Sequence, residues 1–153
     1  MDVRTRDRWT SLAAVLVTSS LAACGSGGGL GRSKLAAKAD AVCADTQRAA
    51  HAIPATPTLQ DPHAAAAYFD KLGPITAKET SALQALKPDQ ATAKDWSAFI
   101  AAQRSANQVL QTLKAKADAN DAAGLQAALV TVLSSGQRVR TTAQKLNLKV
   151  CSQ

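Results

Sequence analysis

The chain has 153 residues, a formal net charge of +7 and only 3% aromatic residues. This length suits one domain and is small for two. The basic residues are dispersed and lack accompanying aromatic side chains, so the composition argues against a nucleic-acid-binding protein, which needs a clustered basic face with stacking platforms. Alanine is abundant throughout. Because alanine favours helix but buries little apolar area, we expect a helical protein with a thin core.

The first 23 residues have the three parts of a secretory signal. Three arginines lie among the first eight residues, and an uncharged, mainly apolar stretch runs from Trp9 to Leu21. Small residues then precede Cys24. The apolar stretch is too short for a stable membrane-spanning helix, which needs about 20 residues. We therefore predict a signal peptide over residues 1–23 that is cleaved from the mature chain.

The motif Leu21, Ala22, Ala23, Cys24 resembles the lipobox of bacterial lipoproteins. In that family the cysteine sulfur receives a diacylglyceryl group, and a signal peptidase cuts just before the cysteine. The resemblance implies that Cys24 is the lipidated first residue of the mature protein, anchored at the extracytoplasmic face of the cell membrane. Two acyl chains hold a protein stably, at about 0.8 kcal/mol per buried methylene. The alternative interpretation is an ordinary secretory signal with a cysteine near its end.

Two cysteines, Cys43 and Cys151, remain if Cys24 carries lipid as the resemblance implies. An exported protein meets an oxidising compartment, where an even pair of cysteines usually forms a disulfide. We predict that Cys43 and Cys151 pair with each other. The chain-entropy estimate for so long a loop is about 4–5 kcal/mol. The alternative is two unpaired buried thiols.

The segment GSGGGLG, from Gly25 to Gly31, has no hydrophobic pattern and predicts a flexible tether. Together with the lipid-bearing cysteine it occupies residues 24–32, and the helical domain occupies residues 33–153. A coil of this length holds the domain on the order of 15 Å from the lipid.

Four amphipathic segments follow the tether. The first helix is predicted over about residues 33–52. The second starts at Asp61, an N-cap residue, with Pro62 at the first helical position, and continues to about residue 87. Gly73-Pro74 interrupts this segment, and we interpret it as a kink in one helix because the apolar register continues through it; two short helices are the alternative.

The third and fourth helices complete the domain. The third is the longest, from Pro88-Asp89 to about residue 119, and carries Trp96 on its apolar stripe. The fourth starts at the Asn120-Asp121 turn and continues to about Asn147 as one helix. Its predicted inward stripe has spacings of four and three: Leu125, Leu129, Val132, Gly136, Val139, Ala143 and Leu146.

Four stripes with short polar connections predict an all-α fold, an antiparallel up-down four-helix bundle closed by one disulfide. The layout also resembles small actinobacterial lipoproteins, which share a cysteine in the first helix, a tryptophan in a long third helix and a cysteine at the extreme C-terminus. This chain matches them at Cys43, Trp96 and Cys151. That group has no established activity, so the resemblance implies the fold alone.

The sequence predicts no catalytic residue, no metal ion and no cofactor. His51 and His63 would end the first helix and begin the second, near Asp61. A weak metal site is one interpretation; two solvated histidines are the favoured one, because no ligand spacing on a common helix face supports a metal. Glu79 is the single glutamate of the chain, which excludes the di-iron bundle pattern. Nucleophile-elbow, phosphate-loop, dinucleotide and haem-attachment motifs are absent.

One interpretation of the basic residues is weak, salt-sensitive attraction to anionic lipid headgroups or cell-envelope polymers. One set lies nearest the tether and a second set lies near the C-terminus: Arg32, Lys34 and Lys38, then Arg138, Arg140, Lys145 and Lys149. The alternative is that these are ordinary solvated faces.

Three functional hypotheses follow. The preferred one is a lipid-anchored, non-enzymatic binding or interaction module at the cell envelope, with an unknown protein partner. The second is a carrier of a small apolar or lipidic ligand between the helices, with Trp96 as one wall of the pocket; for Trp96 itself, a role as a core anchor is the favoured interpretation and the pocket wall is the alternative. The third is an unrecognised hydrolase.

Overall fold

The computed structural model describes residues 28–54 and 60–153, and these residues form an all-helical structure. In chain order the helices are α1 (Arg32–His51), α2 (Pro62–Ala85), α3 (Ala93–Asp118), α4 (Ala122–Ala127) and α5 (Leu129–Lys145). Within the described ranges, β-type pairing is limited to one isolated bridge between Leu30 and Pro88. The prediction of an all-α fold is confirmed. The predicted signal peptide and Cys24 lie outside the described residues.

Helix α2 begins where its capping chemistry predicts. The Asp61 carboxylate accepts a hydrogen bond from the Ala64 N–H at 3.0 Å, and Pro62 is the first helical residue. The helix continues through Gly73-Pro74, although Pro74 has no N–H to donate to the preceding turn. The interpretation as one helix is therefore confirmed.

Helix α3 is the longest, as predicted, but it begins at Ala93, four residues after Asp89. The carboxylate of Asp89 accepts hydrogen bonds from the Thr92 hydroxyl at 2.6 Å and the Thr92 N–H at 2.9 Å. These hydrogen bonds lower the pKa of Asp89 and close a turn before the helix.

The prediction of a single fourth helix is wrong, because α4 and α5 are separated at Ala128. Asp121 caps α4 as expected, but Ala128 has a ψ angle of −13°, away from the helical value of about −42°. Most of the predicted inward stripe is confirmed: Leu125, Ala143 and Leu146 are buried, and Val132 and Val139 pack against the core. Two of its members are wrong, because Leu129 is 42% exposed and Gly136 is exposed, whereas the neighbouring Ser135 is only 4% exposed.

Substitution of the two glycines of this region is expected to have opposite effects on stability. Gly136→Ala should raise the free energy of unfolding by about 0.5–1 kcal/mol, because Gly136 lies inside α5 and a Cβ there meets nothing within 4 Å. Gly124→Ala should lower it by about 1 kcal/mol, because its Cβ would collide with the Asp121 carboxylate that caps α4. Urea unfolding of both variants tests this, and a midpoint below wild type for Gly136→Ala would contradict it.

The core consists of two clusters of buried side chains. The first joins α1, the end of α2, the start of α3, the end of α5 and the C-terminal tail, and it includes Leu35, Leu83, Phe99 and Leu146. The buried members of the second come from α2, α3 and α4: Ala65, Phe69, Leu113, Ala117 and Leu125. Helix α1 therefore covers only one part of the core.

The C-terminal tail is fastened to α1 by covalent and polar contacts. Cys43 and Cys151 form a disulfide, so the predicted pairing is confirmed. The Asp40 carboxylate accepts hydrogen bonds from the backbone N–H groups of Lys149, Val150 and Cys151 at 2.9, 2.8 and 3.2 Å. The tail is thereby held along the middle of α1.

Candidate functional site

A groove between α1 and α2 contains the half-buried carboxyl group of Glu79. The groove has a volume of about 230 Å³. Its walls are mainly small and apolar side chains, with charged groups at the rim: Val42, Asp45, Thr46 and Ala49 from α1, and Ile75, Lys78, Glu79 and Ala82 from α2.

Glu79 lies half-buried in this groove, with its Oε1 atom 3.3 Å from the Sγ atom of Cys43. Because that sulfur belongs to the disulfide, it has no hydrogen to donate to the carboxylate. Burial raises the pKa of Glu79 from its ordinary value of 4.5 to about 7. Near neutral pH the side chain is therefore divided between a neutral carboxylic acid and a carboxylate.

The two charged residues at the rim stay in contact with solvent. Asp45 pairs with Arg48 one turn later on α1, and Lys78 is exposed on α2. The groove thus combines an apolar wall with one half-buried carboxyl group. Such a combination suits a ligand with an apolar body and a hydroxyl or amine that can bond to Glu79.

A second groove, of about 270 Å³, lies between α2 and α3 at Gly73-Pro74. Two of the polar side chains around it have partners within the protein. Asn107 donates to the Thr80 hydroxyl at 2.8 Å, and Lys114 bonds to Asp118 and Asp70. The hydrogen bonds to these two carboxylates raise the pKa of Lys114. This groove therefore offers chiefly apolar contact.

The residues singled out from sequence are distributed over separate parts of the molecule. Trp96 is 4% exposed in the first core cluster, with its ring 5.4 Å from that of Phe99, and it touches an open depression between the end of α2 and the start of α3. His51 and His63 are both exposed. Within residues 28–54 and 60–153, no three or more His, Cys, Asp or Glu side chains form a group that could hold a metal ion.

Sequence reasoning used Glu79 only to exclude a di-iron centre and missed its place in the groove. A signal was present, because Glu79 follows Ile75 by four residues and precedes Leu83 by four. An ionisable residue in register with an apolar stripe is a candidate for burial.

The start of the described chain is docked against the domain. The Leu30 N–H donates to the Lys87 carbonyl at 2.7 Å, and the Asp89 N–H donates to the Leu30 carbonyl at 2.9 Å. A Cβ at Gly29 would collide with the Pro88 carbonyl, so this close approach requires glycine. The part of the predicted tether from Gly29 onward is thus paired with the loop between α2 and α3.

Leu30 docks at one end of the molecule, and we call this end the tether end. Arg32, at the start of α1, donates to the Lys145 carbonyl at the end of α5 at 2.8 Å and lies 3.7 Å from Asp95 near the start of α3. The starts of α1 and α3 and the ends of α2 and α5 therefore meet at the tether end.

Comparisons with protein-family models, with curated proteins and with solved structures returned no match. In the part of the chain that the structure describes, none of the helices combines the length and the apolar character needed to cross a membrane.

Proposed function

We propose that this chain is a lipid-anchored lipoprotein of the extracytoplasmic membrane face that acts as a non-enzymatic binding module at the cell envelope. The lipobox-like motif ending at Cys24 motivates the anchor. The observation that carries the proposal is the docking of Leu30 on Lys87 and Asp89. Only residues 25–28 then separate Cys24 from docked chain, a span on the order of 10 Å. A domain on so short a tether works at the bilayer surface.

We also propose that the helices form an antiparallel up-down four-helix bundle, with α4 and α5 together as its interrupted fourth member. Neighbouring helices in the chain contact each other, α1 with α2, α2 with α3, and α3 with α5. The meeting of helix starts with helix ends at the tether end supports this arrangement.

The binding surface that we propose is the groove between α1 and α2. Glu79 supplies one polar group in an otherwise largely apolar wall, which is the usual composition of a ligand site. A protein segment or a small molecule with an apolar body and one hydrogen-bonding group fits this chemistry.

Labelling with radioactive fatty acid tests the anchor. We expect wild type to incorporate the label and to sediment with membranes washed at high salt, and Cys24→Ala to do neither, because the sulfur is the acceptor of the lipid and high salt removes electrostatic attachment. Ser26→Ala, two residues away, is the matched control and should behave as wild type. A Cys24→Ala protein that remains in the salt-washed membrane pellet would overturn the proposed anchorage.

The same membranes test the binding role. A photo-crosslinking residue replaces Ala49, an exposed alanine of the groove, or Ala98, an exposed alanine of α3 outside it. We expect a single dominant protein adduct from position 49 that is weakened by Glu79→Gln and is absent from position 98. Equal adducts from both positions would contradict a role for the groove.

A carrier of a small apolar or lipidic ligand is the second candidate, favoured by the apolar lining of the groove between α2 and α3. In that case the dominant crosslinked species would have the mass of a lipid, and native mass spectrometry of the purified protein would detect the same lipid.

A further inference from the structure

We propose that the tether end docks on anionic phospholipid headgroups, which orients the domain with its opposite end away from the bilayer. This inference rests on the proposed lipid anchor and adds a specific surface and a specific lipid class to it. Because Leu30 is paired with the loop between α2 and α3, the short tether leaves the domain at this end.

The charge exposed at the tether end is mainly positive. Four lysines lie there with exposed side chains: Lys34, Lys87, Lys94 and Lys145. Within the described ranges, no carboxylate lies within 4.0 Å of any of these four ammonium groups. They surround the point where the tether enters and are available to headgroup phosphates.

The acidic residues of the same end are occupied by internal contacts. Asp89 is partly buried and accepts hydrogen bonds from Thr92. Asp95 faces Arg32 at 3.7 Å, so its charge is balanced by a neighbouring cation. The unpaired exposed charge at this end therefore comes mainly from the lysines.

At the opposite end of the molecule, basic side chains are paired with acidic ones. Lys114 pairs with both Asp70 and Asp118, and Lys116 pairs with Asp121. Positive charge there is largely neutralised by neighbouring carboxylates. An anionic surface therefore attracts the tether end more strongly than the opposite end.

The exposed apolar side chains lie away from the tether end. Leu129, Val130 and Leu133 are 42%, 75% and 72% exposed at the start of α5. Since α5 reaches the tether end at Lys145, Leu129 lies about 24 Å away along the helix at 1.5 Å per residue. Contact with the bilayer at the tether end is therefore electrostatic and does not depend on these apolar side chains.

Vesicle sedimentation tests the docking surface independently of the lipid anchor. The probe is the mature chain with Cys24→Ser, which retains every described residue, mixed with vesicles of phosphatidylcholine alone or with added phosphatidylglycerol. We expect binding to the anionic vesicles only, and its loss at high salt.

A lysine near an anionic surface contributes about fivefold to partitioning. The triple variant Lys87→Gln, Lys94→Gln, Lys145→Gln should therefore bind the anionic vesicles up to about a hundredfold more weakly.

A triple variant with the same loss of charge elsewhere is the control. Lys71→Gln, Arg104→Gln, Arg138→Gln changes three exposed basic residues away from the tether end and should bind within about twofold of wild type. Circular dichroism establishes that both triple variants are folded. An equal loss of binding in both triple variants, or equal binding of wild type to neutral and anionic vesicles, would overturn the docking surface.

The lipid anchor and the docking surface can be overturned independently of each other. If wild type is labelled by fatty acid but shows no preference for anionic vesicles, the docking surface is overturned and the anchor is supported. Preference for anionic vesicles without any labelling at Cys24 supports the basic surface and overturns the anchor.

Discussion

Removal of the Cys43–Cys151 disulfide is expected to lower the free energy of unfolding by about 4–5 kcal/mol. The bond joins residues separated by 108 positions and so encloses most of the described chain. In the chain-entropy account, opening so long a loop enlarges the conformational freedom of the unfolded state, while the native contacts stay nearly unchanged. For a domain of ordinary marginal stability, this is a large share of the total.

Urea unfolding of oxidised wild type, reduced wild type and the double variant Cys43→Ala, Cys151→Ala measures this effect. We expect the last two to lose similar amounts, because both lack the cross-link. Helical circular dichroism should persist without denaturant, since Asp40 still accepts hydrogen bonds from the tail backbone. A loss below about 1 kcal/mol on reduction would contradict the loop-closure explanation.

Glu79→Gln is expected to stabilise the protein above neutral pH and to have little effect near pH 4. In wild type, burial raises the pKa of Glu79 from 4.5 to about 7. The folded state therefore binds more protons than the unfolded state between these values, and wild-type stability falls as pH rises through this window. At 1.36 kcal/mol per tenfold change in proton affinity, the loss is at most about 3 kcal/mol. Glutamine has no proton to lose.

Unfolding curves recorded at intervals from pH 4 to pH 8.5 test this prediction. The two proteins should differ most at the alkaline end, where wild type carries a half-buried carboxylate. Asp45→Asn, an exposed carboxyl group on the rim of the same groove, is the matched control and should leave the wild-type slope unchanged. If the stability curves of wild type and Glu79→Gln are parallel across this range, ionisation of the half-buried Glu79 does not lower the free energy of unfolding, and the prediction is wrong.

The ionisation of Glu79 also bears on the proposed binding role. As a neutral acid the side chain donates a hydrogen bond, and as a carboxylate it favours a cationic group. A ligand that depends on Glu79 should therefore change affinity on either side of about pH 7, where this side chain titrates.

Local signals in the sequence determined the helical class and several helix ends. The Asp61 cap with Pro62 fixes the start of α2 through contacts within four residues, and the apolar periodicity of α3 identifies its buried face, including Trp96 and Phe99. The cysteine count predicted the pairing of Cys43 with Cys151, once the lipobox resemblance set Cys24 aside and implied an exported chain. Each of these inferences depends on nearby residues or on composition.

Only the tertiary structure decided where the last helical segment breaks and where the chain before α1 docks. The four-three count placed Ala143 and Leu146 inward, as observed. It did not predict the break at Ala128, the exposure of Leu129 or the burial of Ser135. Leu30 docks on a loop more than fifty positions later in the chain. The environment of Glu79 likewise depends on α1 lying against α2, with Cys43 beside it. Contacts between residues distant in sequence set the burial and partners of a side chain, and periodicity within one helix carries no information about them.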